Sequence, residues 1–254
     1  FTGSDVKALA GNGSQLIIER DGYLHMIDPS NGNATQMNIN IVGDFPWAET
    51  KWEDVSRQAS SASLSPTGKR AIMESRGEIF TVPTEHGDTR NITQSSDVAD
   101  RRPMWSPKGT KVAWFSDKGG NGYSLMLADQ DGMSDPVSIS IGDSKLAWEP
   151  TWSPDGKYIA FGDDDTRVRI LTLATKQIKT IDQAGINIDR GRMGITWSPD
   201  SKYIAYTKRQ SNNFRQVQVW STMTNQIKPL TNMFADAFAP AWDRDKKHLY
   251  FLAS

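Results

Sequence analysis

Arginine is the residue type best placed for binding chemistry in this chain, because it clusters in short polar stretches between apolar runs. Two stretches, Asp100-Arg101-Arg102 and Asp189-Arg190-Gly191-Arg192, carry two arginines each. A guanidinium binds a carboxylate through two parallel hydrogen bonds, so such a set could hold the end of a peptide. Any one arginine could equally pair with a nearby acid and hold its own loop, and for a single residue we expect the ion pair. The candidate binding residues are Arg101, Arg102, Glu149, Asp189, Arg190, Arg192, Arg209 and Arg215.

Serine chemistry is the second possibility, since Ser-Pro pairs recur along the chain. A nucleophilic serine needs a base and an oxyanion hole. The only histidines are His25, His86 and His248, and none recurs beside these turns. Ser-Pro-Asp-Gly also encodes a tight turn, in which serine bonds to the backbone, proline presets φ and glycine accepts a positive φ. We therefore predict a structural serine and no catalytic residue in this chain.

Metal chemistry has weaker support. The run Asp163-Asp164-Asp165 could bind Ca²⁺, but it lacks the alternating spacing and the trailing glutamate of an EF-hand loop. Acidic residues at a hairpin tip are the commoner explanation. The histidines have no ligand spacing, and the absence of cysteine excludes thiolate sites and disulfides. We predict no metal and no cofactor.

A repeat positions all of these residues. Six times a bulky apolar residue precedes a turn of small residues and a second short apolar run, as in Trp152-Ser153-Pro154-Asp155-Gly156. The last turn positions are spaced 55, 41, 47, 45 and 45 residues apart, at Gly13, Gly68, Gly109, Gly156, Ser201 and Lys246. A period near 45 residues with strand-turn-strand texture is typical of β-propeller blades. We predict an all-β propeller of about six four-stranded blades, the last one incomplete.

The residue before the turn is aromatic in four repeats. It is Trp105, Trp152, Trp197 and Trp242, with Leu9 and Leu64 in the first two repeats. A tryptophan at the end of the innermost strand is large enough to fill the space between adjacent wedge-shaped blades. We interpret these residues as structural and give little weight to ligand stacking.

The overall composition excludes several functions. With 29 Lys and Arg against 30 Asp and Glu, the net charge of −1 attracts neither nucleic acid nor an anionic membrane. No apolar stretch approaches the roughly 20 residues that cross a bilayer. The cysteine-free composition suits the cytoplasm and the periplasm, of which we favour the periplasm. The start at Phe1 without an initiator Met indicates a processed or excised chain.

Several motifs resemble a known family. The Trp-Ser-Pro-Asp-Gly-Lys-x-Ile-Ala-Phe block at 152–161 is similar to the repeat of TolB-like propellers and of the propellers in prolyl-oligopeptidase-type and tricorn-type peptidases. A narrower match resembles tricorn protease homologues. It consists of Trp52-Glu53-Asp54-Val55-Ser56, the segments 61–71 and 76–83, and Arg90-Asn91-Ile92-Thr93.

The tricorn resemblance implies a function that is not catalytic. In that family two propellers of six and seven blades precede a PDZ domain and a serine-peptidase core, and the propellers are thought to guide oligopeptides. This chain would be part of the second propeller and could be entered through the end of the first, with approximate blades 6–42, 59–95, 100–142, 147–183, 193–231 and 238–254. The resemblance implies peptide substrate and downstream PDZ and peptidase domains as partners, and an oligomer formed through the parent.

The sixth repeat stops after two strands, so a ring could not close without an exposed edge. We expect a fragment of a longer polypeptide; the alternative is a six-bladed ring whose closing blade has three strands. An insertion at 43–58 explains the long spacing of 55 residues between the first two repeats. Its aromatic residues Phe45, Trp47 and Trp52 could contact a neighbouring domain or peptide, or could cap their own blade, which we favour.

Two other functions compete with the peptidase propeller. A free-standing TolB-like scaffold would bind another protein in the cell envelope. A propeller enzyme, such as a sugar lyase or a glycosidase, would need clustered histidines or paired carboxylates at the channel, and the sequence offers neither. The stretch Arg76-Gly77-Glu78-Ile79-Phe80-Thr81-Val82-Pro83 favours the tricorn-like propeller.

Overall fold

The computed structural model describes residues 6–20, 22–49, 51, 54–55, 57–95, 97–184 and 192–254. Its secondary structure is almost entirely β, and the described helical residues form one short 3₁₀ turn, Pro46–Ala48. The chain divides into two compact units, Phe1–Glu53 and Asp54–Ser254.

The first unit contains one antiparallel sheet in sequential order, which we call blade 1. Its strands are β1 (Val6–Gly11), β2 (Leu16–Arg20), β3 (Tyr23–Ile27) and β4 (Ala34–Gln36). The 3₁₀ turn at Pro46–Ala48 follows in the insertion, with a proline in its first turn.

The second unit contains five further sheets, blades 2 to 6. Blade 2 has β5 (Ala59–Leu64), β6 (Arg70–Ser75), β7 (Glu78–Pro83) and β8 (Arg90–Asn91). Blade 3 has β9 (Asp100–Trp105), β10 (Lys111–Ser116), β11 (Ser124–Asp129) and β12 (Val137–Ser140). Blade 4 has β13 (Ala147–Trp152), β14 (Tyr158–Asp163), β15 (Arg167–Thr172) and β16 (Gln177–Gln183). Blade 5 has β17 (Thr196–Trp197), β18 (Tyr203–Arg209), β19 (Arg215–Ser221) and β20 (Ile227–Pro229), and blade 6 has β21 (Ala237–Trp242) and β22 (Leu249–Ala253).

This architecture confirms the predicted fold class. Five described sheets are four-stranded antiparallel meanders and the sixth has two strands, which is the incomplete last blade. In blades 2 to 4 the second strand is the most buried strand of its sheet. In β14, for example, all residues after Tyr158 are buried, because this strand lies in the middle of its sheet and is covered on both faces.

The Ser-Pro turns connect the first two strands in blades 2 to 5. Ser153 Oγ donates to Asp155 Oδ1 at 2.7 Å and accepts the N–H of Tyr158 at 2.9 Å. Ser198 makes the same two bonds with Asp200 and Tyr203. Both hydroxyls are almost completely buried, so each is committed to its own hairpin.

Three buried apolar clusters lie between successive blades. One joins blades 2 and 3 and includes Ile72 and Trp114. Another joins blades 3 and 4 through Phe115 and Phe161, whose rings meet edge to face 5.7 Å apart. The third joins blades 4 and 5 through Trp197. The core of the second unit is therefore a series of seams between sheets.

The repeated tryptophans lie at these seams. The indole N–H of Trp105, Trp197 and Trp242 donates to a backbone carbonyl in the innermost strand of the preceding blade. These acceptors are the carbonyls of Ser63, Thr151 and Thr196, at 3.1, 3.2 and 3.3 Å. Trp197 and Trp242 also stack on Tyr158 and Tyr203 of the preceding blade.

Trp152 differs from the other three. Its Nε1 is buried without a hydrogen-bond partner among the described residues. An unmade bond at a buried donor costs stability, whereas a made bond contributes to it.

Elsewhere in the described residues, no helical stretch has the length and apolar character that crossing a bilayer requires.

We predict that Trp197→Phe lowers the free energy of unfolding by about 1–3 kcal/mol, because it removes the bond to Thr151 and part of the seam packing. The matched variant Trp152→Phe should cost less than about 1 kcal/mol, because no indole bond is lost. Urea unfolding of both variants measures the difference. Equal losses would show that the indole bond contributes nothing.

Candidate functional site

The candidate site lies at one end of the blades in the second unit, which we call the loop face. There the hairpin between the second and third strands meets the connection into the next innermost strand. The N–H of Asp100 donates to the carbonyl of Gly77 at 2.9 Å, and the N–H of Ala99 donates to Asp117 Oδ1 at 2.7 Å. These two hydrogen bonds hold the neighbouring loops together at the loop face.

A polar cavity of about 560 Å³ opens on the loop face between blades 2 and 3. Its cations are Arg76 and Arg101, and its acids include Asp97 and Asp117. Arg101 is half-exposed and lies 3.7 Å from Glu74. A cavity with charges of both signs suits a ligand that carries both, such as a peptide with free ends. Gln58, Ser60, Glu74, Gly77, Val98 and Ala99 complete its lining.

A left-handed residue recurs three positions before the tryptophan, within the innermost strand in blades 3, 4 and 6 and just before it in blade 5. Arg102, Glu149, Gly194 and Ala239 have φ of 55°, 51°, 58° and 53°. In blades 3, 4 and 6 the pairing with the second strand shifts register at this point. A β-bulge of this kind bends the strand and re-aims the side chains next to it. Because three of these residues are not glycine, the seams must hold a conformation that costs free energy.

Glu74 supports the bulge in blade 3. Its side chain is almost fully buried, and Oε2 accepts the N–H of Arg102 at 2.9 Å and the hydroxyl of Ser61 at 3.0 Å. One carboxylate therefore joins blade 2 to blade 3 and lies beside the guanidinium of Arg101. A charged acceptor makes a stronger bond to a backbone N–H than a neutral one does.

Glu149 supports the left-handed residue Gly194 in blade 5. Its Oε2 accepts the N–H of Gly194 at 2.8 Å. Burial raises the pKa of Glu149, although the backbone N–H groups of Gly194, Ile195 and Met193 act in the opposite direction. This residue, predicted to contact a ligand, thus lies in a seam between blades 4 and 5.

Arg215 is held by its surroundings. Its guanidinium donates to Asp236 Oδ2 at 2.8 and 3.2 Å and lies 3.9 Å above the ring of Phe238. Hydrogen bonds from the Arg215 side chain and backbone lower the pKa of Asp236. The Arg215 interactions join the hairpin of blade 5 to the first strand of blade 6.

The Asp163-Asp164-Asp165 run forms an ion-pair network. Asp163 is fully buried, and its Oδ2 lies 2.7 Å from Arg167 Nε and 3.2 Å from Arg169 Nη1. Burial acts to raise the pKa of Asp163, but hydrogen bonds from Ser144 and Arg167 outweigh it and lower the pKa. Among the described residues, no group of three His, Cys, Asp or Glu side chains has the arrangement of a metal site.

The remaining candidate residues are dispersed. Arg102 and Arg192 are exposed, and Arg209 donates to the carbonyl of Asn213 within its own hairpin. Asp189, Arg190 and Trp52 lie outside the described residues. In the first unit Trp47 is 76% exposed and meets Phe45 edge to face at 5.6 Å. The structure places Arg101 in the polar cavity, and the ligand role of all these residues stays a prediction.

Sequence reasoning missed Glu74. The available signal was an acidic residue at the buried end of an apolar strand, Ile72-Met73-Glu74, where an unpaired carboxylate would be costly. Asp97 was missed as well, because a single acid in a polar loop carries no pattern.

Comparisons with known proteins agree with this architecture. Residues 59–254 match the family model of the tricorn protease second β-propeller domain. Tricorn protease of Thermoplasma volcanium is 26% identical over 257 residues, covering 96% of this chain and 23% of that protein. The crystal structure of the tricorn protease has a TM-score of 0.64 at 20% identity, over 100% of this chain and 24% of that chain.

A second fold relative is TolB from Acinetobacter baumannii, with a TM-score of 0.53 at 18% identity over 88% of this chain and 53% of that chain. Both structural likenesses show the fold alone. The chain spans about a quarter of the length of the tricorn protease that it matches.

We predict that Glu149 makes stability depend on pH. Free glutamate titrates near 4.5, and its folded pKa here is raised. The folded state therefore binds more protons between the two values, and stability falls as pH rises through that window. Glu149→Gln should remove this fall, since an amide oxygen can still accept the Gly194 N–H. Urea unfolding from pH 4 to 8 measures this pH dependence of the free energy of unfolding. The exposed Glu85→Gln is the control. Parallel curves for the wild type and Glu149→Gln would contradict the raised pKa of Glu149.

Proposed function

Because this chain belongs to the family of the tricorn protease second β-propeller domain, we propose that it guides or gates oligopeptides on their way to a catalytic core outside these 254 residues. The family match over residues 59–254 is the observation that carries this proposal. In this role the propeller binds peptides weakly and performs no bond cleavage itself.

The loop face supports the proposal physically. A guiding surface has to engage peptides of many sequences, so it has to recognise groups common to all of them, which are the backbone and the terminal charges. The open cavity between blades 2 and 3 presents Arg101 and Arg76 beside Asp97 and Asp117. These groups can hold either end of a peptide through charge-assisted hydrogen bonds. Because the cavity is open, release stays fast.

The parent protein is proposed to be a serine peptidase. The relative named tricorn protease is four times longer than the region that this chain covers. Downstream PDZ and peptidase domains would then be the partners of this propeller in the same polypeptide. Oligomers, where they form, would form through the parent.

The first unit has a different proposed role. The family match begins at residue 59, after the boundary between the two compact units. We infer that blade 1 closes a preceding propeller and that the insertion at 43–58 connects two propellers. Expression of residues 54–254 alone tests this: the shorter chain should keep the unfolding midpoint of blades 2 to 6.

A TolB-like protein-binding scaffold is the alternative. The likeness to TolB shows only the shared fold, and the narrower sequence match is to the tricorn family. A stable protein partner of the isolated chain, recovered without peptide binding, would favour the scaffold.

We predict that the purified chain binds a fluorescent oligopeptide without hydrolysing it, and that Arg101→Ala weakens binding about tenfold. Loss of a charge-assisted bond of about 1.5 kcal/mol gives that factor. Fluorescence anisotropy measures it with two peptides, one with a free C-terminal carboxylate and one amidated. The amidated peptide should bind the wild type weakly and the variant equally weakly.

Lys108→Ala is the matched control, since Lys108 is an exposed cation in the turn at the opposite end of blade 3. It should leave binding unchanged. Equal affinity of Arg101→Ala and wild type for the free carboxylate would refute the role of Arg101. Persistent cleavage of the peptide by pure chain would refute the guiding role.

A further inference from the structure

A second polar cavity lies on the loop face, one blade along from the cavity at Arg101. It has a volume of about 370 Å³ and lies between the hairpin that joins β10 to β11 and the connection from β12 into β13. The cavity at Arg101 has the equivalent place one blade earlier, between the β6–β7 hairpin and the connection into β9. We call the second one the lysine cavity, because Lys118 and Lys145 line it.

The charge of the lysine cavity has one sign. Within the described residues no carboxylate lines it, whereas the cavity at Arg101 combines arginines with acids. The acids closest in sequence are engaged elsewhere. Asp143 pairs with two arginines of β15, and Asp164 accepts the backbone N–H of Lys145. The positive field of Lys118 and Lys145 therefore favours an anion in this cavity.

Several donors that line the lysine cavity have no acceptor. In the part of the chain that the structure describes, the ammonium of Lys118 makes no hydrogen bond or ion pair. The same holds for the hydroxyl of Ser124 and for the backbone N–H groups of Gly119, Asn121 and Gly122. A carboxylate has two oxygens that accept from ammonium, hydroxyl and N–H donors alike, so it matches this donor set.

The hairpin holds Lys145 in place. Its Nζ donates to the carbonyl of Asn121 at 3.1 Å, and its own carbonyl accepts the N–H of Tyr123 at 2.8 Å. Gly122 has a φ of 103°, and a Cβ at this position would lie 2.8 Å from the Lys145 carbonyl oxygen, so the contact requires glycine. The cavity is therefore formed before a ligand arrives, which lowers the entropy lost on binding.

The two cavities are neighbours. Asp117 lines the cavity at Arg101, and the next residue, Lys118, lines the lysine cavity. Tyr123 lines the lysine cavity and lies close to Arg101: burial raises the pKa of Tyr123, and the guanidinium of Arg101 acts in the opposite direction. One ligand can therefore reach both cavities.

Strand pairing gives the distance between them. Ser124 of the lysine cavity pairs with Ser116, and Ser116 pairs with Asp100, the residue before Arg101. Adjacent strands lie about 4.8 Å apart, so two spacings are about 10 Å. An extended peptide rises about 3.3 Å per residue, so about three residues cover this distance.

We propose that the lysine cavity binds the carboxylate of an Asp or Glu side chain in a peptide whose C-terminal carboxylate is held by Arg101. The acidic residue lies about three positions before the C-terminus. This inference rests on the proposed function, and it adds a preference for acidic peptides to a surface that otherwise recognises the terminal charge.

Two fluorescent peptides with a free C-terminus test the proposal. They differ only in Glu or Gln three positions before the last residue, and anisotropy at low salt measures their affinity for the 254-residue chain. The Glu peptide should bind about fivefold more tightly, and salt should reduce this ratio by screening. A third peptide, with the Glu moved seven positions from the end, has the same net charge and should bind like the Gln peptide. Equal affinities of all three peptides would overturn the proposal.

Variants of Lys118 assign the preference to the lysine cavity. Lys118→Gln should bring the ratio of the Glu and Gln affinities close to one, whereas Lys118→Arg keeps the charge and should keep the preference. Lys108→Gln is the matched control, since it removes an exposed cation from the turn at the opposite end of blade 3. A ratio that persists in Lys118→Gln would overturn the proposal.

The outcomes also separate this inference from the proposed function. Equal binding of the Glu and Gln peptides, weakened in both by Arg101→Ala, would overturn the acidic site and leave the guiding role intact. Absence of binding by any peptide would overturn both. Inorganic phosphate that displaces the Glu peptide at micromolar concentration would assign the lysine cavity to free phosphate and overturn the inference alone.

Discussion

The contact between an innermost-strand tryptophan and the preceding blade is the interaction on which the second unit depends. A four-stranded sheet by itself has two apolar faces and is stable only when both are covered. In the buried clusters between such sheets, an indole at the end of the inner strand fills part of the space. Its N–H satisfies a carbonyl of the neighbouring strand in three of the four repeats, so the same side chain sets both spacing and register.

A left-handed residue precedes each repeated tryptophan by three positions, and in blades 3, 4 and 6 it coincides with a β-bulge, which bends the inner strand next to the seam. The N–H of the left-handed residue needs an acceptor, and acids of the preceding blade provide it in two seams, Glu74 for Arg102 and Glu149 for Gly194. Arg101 lies next to Glu74, the first of these two acceptors. The loop face is thus braced by hydrogen bonds next to the charge of Arg101.

The fold was largely readable from sequence, and the site was readable only in part. The Ser-Pro turns stabilise their hairpins through contacts within five residues. The bond between Ser153 and Tyr158 can therefore be predicted from the local sequence. The glutamate side chains that accept the N–H groups of Arg102 and Gly194 lie much farther away in sequence, at Glu74 and Glu149. These two glutamates do not occupy the same position in the repeat. The arginines predicted from the sequence as binding residues therefore have different surroundings in the structure. Arg101 reaches a cavity, whereas Arg215 is engaged by Asp236 and Phe238.

By itself the sequence determined the blades, their turns and the tryptophan at each seam, because these features depend on short-range hydrogen bonds and on a period of about 45 residues. Only the tertiary structure decided which charges are available to a ligand. Burial and pairing depend on what the neighbouring blade places opposite each side chain. Asp163 lies in an acidic run that suggested a cation site, but it is paired with Arg167 and Arg169. Arg101, in contrast, lines a polar cavity together with the two-residue hairpin at Arg76-Gly77.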